Sequence, residues 1–224
     1  MTVPTAKTRK SEETRAGILD AALALFLERG YQETTMRAIA ERASVALGNA
    51  YYYFESKEHL VQAIYARTQV EHTALSLEVL ARERSFRERL RGVMQAKIDT
   101  IEPYHPFAAA MFRSAADPTS ALHPLSEQSA RVREEAISIF AATLDDVPTR
   151  IPNDLRAELP RLLWLYHLGV VLYWIHDRSP NRARTRRFVD GTADLVAGLV
   201  GIAGNPLLRP FRRRALRILK DSGP

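Results

Sequence analysis

The feature that most restricts this chain lies between Ser11 and Phe54, where three short apolar faces are separated by two tight breaks. Ile18, Ala22, Leu25 and Phe26 recur at i, i+4, i+7 and i+8, which is one side of a helix. Gly30 ends that helix, as glycine does at a helix C-terminus. Thr34 and Thr35 offer a cap to a second helix, whose apolar face is Met36, Ile39, Ala40 and Ala43. A brief break at Ser44–Val45 follows, and a third segment runs to Phe54. Ser56 then caps a fourth helix, with Glu58 favourably placed in its first turn. Three short helices with a tight break between the second and third satisfy what a helix-turn-helix requires.

The rest of the chain reads as longer helices near 56–82, 86–101, 104–116, 124–145, 154–177, 183–203 and 206–220. Eight prolines, among them Pro103, Pro124, Pro152 and Pro206, fall at or near the proposed breaks, where a missing N–H does least harm. No segment sustains the alternation of a strand. Ala, Leu, Arg and Glu dominate, all strong helix formers. The expected fold is therefore all-α: an N-terminal three-helix domain with a helix-turn-helix, then a larger helical domain. The expected divisions are a disordered basic arm over 1–10, carrying Lys7, Arg9 and Lys10, the helix-turn-helix domain over 11–56 and the effector domain over 57–224.

Composition removes several classes of function. The 224 residues include no cysteine, so disulfides, thiolate metal sites and cysteine nucleophiles are excluded. The N-terminus lacks the apolar stretch of a secretory signal, and cysteine absence fits a cytoplasmic protein. The most apolar run, Leu162 to Ile175, is too short to span a bilayer, so no membrane is expected as a partner. The six histidines, His59, His72, His105, His123, His167 and His176, form no pair with a carboxylate at metal-ligand spacing. No phosphate loop, nucleophile elbow or acid–base pair stands out, so neither cofactor, metal nor catalysis is expected. The formal charge of +6 favours a polyanionic partner.

The stretch Thr34 to Tyr65 carries the functional reading. Thr35, Ile39–Ala40, Ala43, Val45, Gly48, Tyr51, Phe54, Ser56–Lys57, Glu58 and Leu60 occur in the order found in the TetR family of DNA-binding regulators, which this segment closely resembles. The third helix has the slim face that entry into a major groove about 12 Å wide demands. Ala46 and Gly48 are small, and Gly48 lets the backbone approach DNA. Asn49 is suited to a base edge or a phosphate. Tyr51 and Tyr52 carry hydroxyls that can donate to phosphates. The resemblance implies a phosphate clamp at Lys57. Thr35 and Arg37 would touch the flanking backbone, a contact that positions without reading sequence. Two departures stand out. Ser44 replaces the glycine usual after the second helix, and Ala46 replaces a Ser or Thr cap; Ser44 is the candidate to cap in its place.

The same resemblance implies that the larger domain binds a small molecule and dimerises through its last two major helices. On the helix near 154–177, Trp164, His167, Val171 and Trp174 share one face, and Leu162, Tyr166, Gly169 and Tyr173 the other. A helix apolar on both sides is buried on both sides, and the pattern leaves open which side meets the partner. The candidate dimer interface is Leu162, Tyr166, Gly169 and Tyr173 with Val189, Ala193, Val196, Ala197 and Val200. The candidate effector site is Tyr104, Phe107, Met111, Phe112, Trp164, His167, Val171 and Trp174, an aromatic set that suits an apolar or aromatic molecule. The tail from Pro206 to Lys220 reads as a basic amphipathic helix, either a solvated face or a second contact to nucleic acid or membrane. The expected function is a homodimeric regulator of transcription, a repressor released from operator DNA by its effector. A second reading keeps the helical fold as a small-molecule carrier or enzyme whose N-terminal motif no longer binds DNA.

Overall fold

The computed structural model describes residues 6–221, with side chains described over residues 9–218. Among the described residues the chain forms ten α-helices and no strand. They are α1 (Ala6–Arg29), α2 (Met36–Arg42), α3 (Leu47–Tyr53), α4 (Lys57–Arg82), α5 (Phe86–Ile101), α6 (His105–Ala115), α7 (Ala130–Ala142), α8 (Asn153–His176), α9 (Ala183–Ala203) and α10 (Arg209–Asp221). Short 3-10 turns precede α6, α9 and α10.

Two compact units emerge. One is built from residues up to Thr68 together with Pro103–Val132, the other from Gln69–Glu102 with residues from Arg133 onward. The division differs from the expected one after residue 56. Phe107, Met111, Ala115 and Leu122 belong to the same apolar core as Ile18, Leu25 and Phe26, so the α6 segment completes the N-terminal unit. A three-helix motif alone buries little apolar surface, and the added helix enlarges its core.

Residues 6–10 of the expected disordered arm are the first turns of α1, and residues 1–5 lie outside the described residues. Ala6 and the alternating polar residues after it are adequate helix formers, and nothing breaks them from Ile18 onward. The helix expected over 124–145 begins only at Ala130. Ahead of it the side chains of Ser120 and His123 accept from the backbone N–H groups of Leu122 and Leu125, and Ser126 Oγ donates to the Ala121 carbonyl. Such local bonds offer the backbone turns in place of a helix. Pro160 lies inside α8 and removes one ladder bond, which the tertiary packing of Leu155, Leu159 and Leu163 outweighs.

In the second unit α5 is clasped by α9. Arg87 and Arg91 both donate to Asp194, Arg186 reaches Asp99 at 2.7 Å, and Gln95 joins Asp190 and the Arg186 carbonyl. Gly92 allows α5 close to α4, since a Cβ there would collide with Val79. Arg89 is buried with its guanidinium aimed at the carbonyls of Leu80, Glu83 and Asp145, supplying the cation that helix C-termini favour. Asp177 ties α8 to α9: it accepts from the Ser179 N–H at 2.8 Å and from both the N–H and the hydroxyl of Thr185. Burial opposes its ionisation, but those hydrogen bonds outweigh burial and hold its carboxyl well below the usual range.

Candidate nucleic-acid interface and effector core

The N-terminal unit places α3 by burying one side of it. Ala50 and Phe54 are buried, and Leu47 and Tyr53 pack partly against the same core. The opposite side is thereby forced outward. Ala46, Gly48, Asn49, Tyr51 and Tyr52 are all exposed, with Tyr52 80% exposed. Its ring meets the Tyr53 ring edge-on, with centroids 5.2 Å apart, and is otherwise open to solvent. A Cβ at Gly48 would meet nothing within 4 Å, so the fold itself does not demand glycine at that position.

Three local devices fix the turn and the helices around it. The Thr35 side chain accepts from the Ala38 N–H at 3.2 Å and caps α2. Ser44 takes a left-handed conformation, φ 55°, which is the strained role expected from its place after the second helix. Ser44 does not cap α3, however. Ala46 is the N-cap residue, in the extended cap conformation, and its methyl offers no acceptor to the first N–H groups of the helix. Gly30 at φ 85° ends α1, where a side chain would be strained.

Lys57 is half-buried. Its ammonium donates to the carbonyls of Tyr31 at 2.9 Å and Gln32 at 3.3 Å and sits 4.6 Å from the centre of the Tyr31 ring. Two of its three N–H groups therefore hold the turn after α1, leaving one for a phosphate. Tyr31 in turn donates to Glu58 at 2.9 Å, and burial raises the pKa of its phenol. Arg37 is exposed on α2. Sequence reasoning missed the brace from Ser11 to the Tyr53 hydroxyl at 3.1 Å and the Arg15 guanidinium over the Phe54 ring, both of which seat α3 on α1. Their partners are distant in sequence, and no short motif announces them. A groove of about 320 Å³ lies beside them, lined by Arg15, Tyr53, His59 and Arg131 among others.

The expected effector set divides between the units. Phe107 and Met111 are buried in the N-terminal core, with Phe107 5.8 Å from Phe26 and 6.1 Å from Tyr104, while Phe112 is exposed. Trp164, His167 and Trp174 are buried in the second unit, with Val171 half-buried beside them. The first four thus lie in the core and on the surface of the N-terminal unit, whose apolar core α6 completes.

The interface residues also need revision. On α9, Val189, Ala193 and Val200 are fully buried within the chain, where they face α5 and α8, and Val196 and Ala197 are half-buried. The exposed stripe of α9 is Phe188, Leu195, Leu199 and Ile202. On α8, Gly169 and Tyr173 do face outward, joined by Leu165 and Leu172, while Leu162 and Tyr166 are half-buried and Tyr166 hydrogen-bonds Thr192. Tyr173 stacks on Phe188 with centroids 4.6 Å apart. Both sides of α9 are apolar, so periodicity alone does not say which one its own chain covers. On α10, Leu216 is buried and Arg212 reaches Asp154, while Phe211 and Ile218 are exposed, as is Leu207 in the 3-10 turn before it.

An all-helical chain with a helix-turn-helix whose third helix shows a slim outward face, followed by a second helical unit, is a two-unit helix-turn-helix protein. Its N-terminal part matches the bacterial regulatory proteins of the tetR family over residues 18–64, and the tetracyclin repressor-like C-terminal domain matches residues 89–214. The chain belongs to the TetR family. It is 54% identical over 56 residues to the HTH-type transcriptional repressor KstR of Rhodococcus jostii, covering 25% of this chain and 26% of that one. It is 29% identical over 163 residues to KstR2 of the same organism, covering 71% of this chain and 78% of that one. The chain thus spans only about a quarter of the length of the KstR relatives it matches. Among solved structures, a TetR regulator from Nitrosomonas europaea is similar with a TM-score of 0.65 at 20% identity, covering 82% of this chain and 97% of that one. FadR of Bacillus subtilis, solved in complex with stearoyl-CoA, has a TM-score of 0.61 at 17% identity, covering 80% and 96%.

Proposed function

We propose that the chain is a cytoplasmic, homodimeric transcriptional repressor that binds operator DNA through α3 and leaves it when a small apolar or aromatic effector enters the second unit. The observation that carries the reading is the outward face of α3. Ala46, Gly48, Asn49, Tyr51 and Tyr52 are exposed together, and neither the openness at Gly48 nor the exposure of Tyr52 has a purpose inside the chain. Asn49 reads a base edge, the tyrosine hydroxyls hold phosphates, and Thr35 and Arg37 lie against the flanking strand. Lys57 chiefly positions the turn and lends its remaining donor to a phosphate. The repressors to which the chain is similar support this role, and the complex of FadR with stearoyl-CoA supports a ligand-binding second unit.

Dimerisation follows from the exposed stripe Leu165, Leu172 and Tyr173 of α8 with Leu195, Leu199 and Ile202 of α9, a run of large apolar side chains of the kind that marks an interaction surface. A two-fold pair would present two recognition helices to half-sites about 34–36 Å apart. An effector that binds more tightly to a conformation with mis-spaced recognition helices lowers operator affinity by that difference. Selection of bound duplexes from a random pool tests the reading. Enrichment of a two-fold site is expected, and Tyr52→Ala should weaken it at least about tenfold while leaving the melting temperature within a degree or two, since an exposed surface substitution changes stability by about 0.5 kcal/mol or less. Lys57→Met should lower both stability and affinity. No enrichment of any duplex refutes the proposal.

A further inference from the structure

The second unit contains a buried polar cluster that its own fold leaves incomplete. His72 on α4 is buried and its Nε2 lies 3.0 Å from the Val93 carbonyl, which only accepts. Nε2 therefore carries the proton, and Nδ1 is left as a buried acceptor with no partner. One turn further along α4, Ser76 is fully buried with its hydroxyl unpartnered. His167 on α8 is buried against Phe140 with its ring near the Trp164 carbonyl, and neither ring nitrogen makes a hydrogen bond of normal geometry. Lys97 stands one turn beyond Val93 on α5 and is partly buried. Among the described residues it has no ion pair and no hydrogen bond, and burial alone brings its pKa down to about 8. Its charge acts on both imidazoles.

His72, Lys97 and His167 thus lie near one another from three helices, with Ser76 one turn from His72, and each keeps at least one polar atom without a partner among the described residues. Buried polar groups are normally paired, and a half-satisfied set destabilises a fold that could have used leucine instead. Such a set is explained when a ligand supplies the missing partners. The donors available are the three N–H groups of Lys97, the Ser76 hydroxyl and one N–H of His167, and a cation without a counter-ion is among them. We propose that this cluster is the polar end of the effector site, where Lys97, Ser76 and His167 together hold a carboxylate carried on an apolar body. Trp164 and Phe140 supply apolar wall beside it. The inference rests on the effector reading above and narrows it from an apolar molecule to an apolar acid.

Both tryptophans of the chain, Trp164 and Trp174, are buried in this unit, so intrinsic fluorescence of the full-length protein reports on the site. The probes are dodecanoate and 4-phenylbutanoate, each titrated against its alcohol, dodecan-1-ol and 4-phenylbutan-1-ol. At least one acid should bind about tenfold or more tightly than its alcohol, the gain of one charge-assisted hydrogen bond. Lys97→Met should erase that preference and raise the melting temperature of the ligand-free protein, while His167→Gln, which keeps a donor, should retain part of the preference. Equal affinity for acids and alcohols, or a preference unchanged in Lys97→Met, overturns the site and leaves the cluster to ordered water. A gel shift with the acids is read separately. Acid binding that depends on Lys97 but releases no DNA keeps the site and refutes the ligand-released repressor.

Discussion

Leu199 and Val200 are neighbours in sequence, about 100° apart around α9, one turned outward and the other inward, and substituting each in turn tests the proposed interface directly. Leu195, Leu199 and Ile202 are 60%, 56% and 59% exposed, whereas Val200 is 5% exposed and packs inside the chain. Fully burying a leucine side chain contributes about 1.5–3 kcal/mol, so covering the open half of Leu199 is worth about 1–1.5 kcal/mol. A two-fold interface uses every residue twice, which brings the loss in Leu199→Glu to about 2–3 kcal/mol per dimer. That corresponds to a weakening of dimerisation by roughly 30- to 150-fold, and an unpaired carboxylate in the interface adds to it. Sedimentation velocity over a range of micromolar concentrations should show Leu199→Glu as a monomer with an unchanged melting curve at low concentration. Val200→Ala should do the reverse, losing about 1–3 kcal/mol of folding stability while keeping the dimer mass. If Leu199→Glu keeps the wild-type mass, or if Val200→Ala is the variant that dissociates, the assignment of the two faces of α9 is wrong.

Other consequences of the geometry are open to measurement. Thr35→Ala removes the α2 cap and should cost about 1 kcal/mol, read as a lower denaturant midpoint with an unchanged slope. Ser44→Gly relieves a left-handed serine and, after allowing for glycine's greater freedom in the unfolded chain, should stabilise by about 0.5–1 kcal/mol; a net loss refutes the strain argument. Ala46→Ser should stabilise by a similar amount by supplying the missing cap of α3. Asp177 has a folded-state pKa below its unfolded one, so the stability it contributes is fully present above about pH 4 and disappears as pH falls further. Asp177→Ala should therefore lower the melting temperature at pH 7, and the gap from wild type should narrow below about pH 4.

The helix-turn-helix was legible because it is local. Its caps, its turn and its apolar faces lie within a few residues of one another, so the order of residues from Thr35 to Lys57 states which helices form and which side of α3 is bare. Long helices such as α4, α5, α8 and α9 were legible for the same reason, since periodicity and proline breaks act over one or two turns. The late start of α7 was not, because the serine and histidine bonds that hold 120–129 in turns compete with a helix on nearly equal terms.

Sequence alone thus determined the fold class, the recognition helix and its outward residues, and the family to which they belong. Tertiary structure alone decided which unit claims α6, which face of α9 its own chain covers, and that Lys57 braces the Tyr31 turn. It also set Lys97 of α5 near His72 of α4 and His167 of α8. The physical reason is common to all four. An amphipathic pattern specifies that a face must be buried and leaves unsaid against what, and a polar residue on an apolar face acquires its meaning only from neighbours that lie far away in the chain.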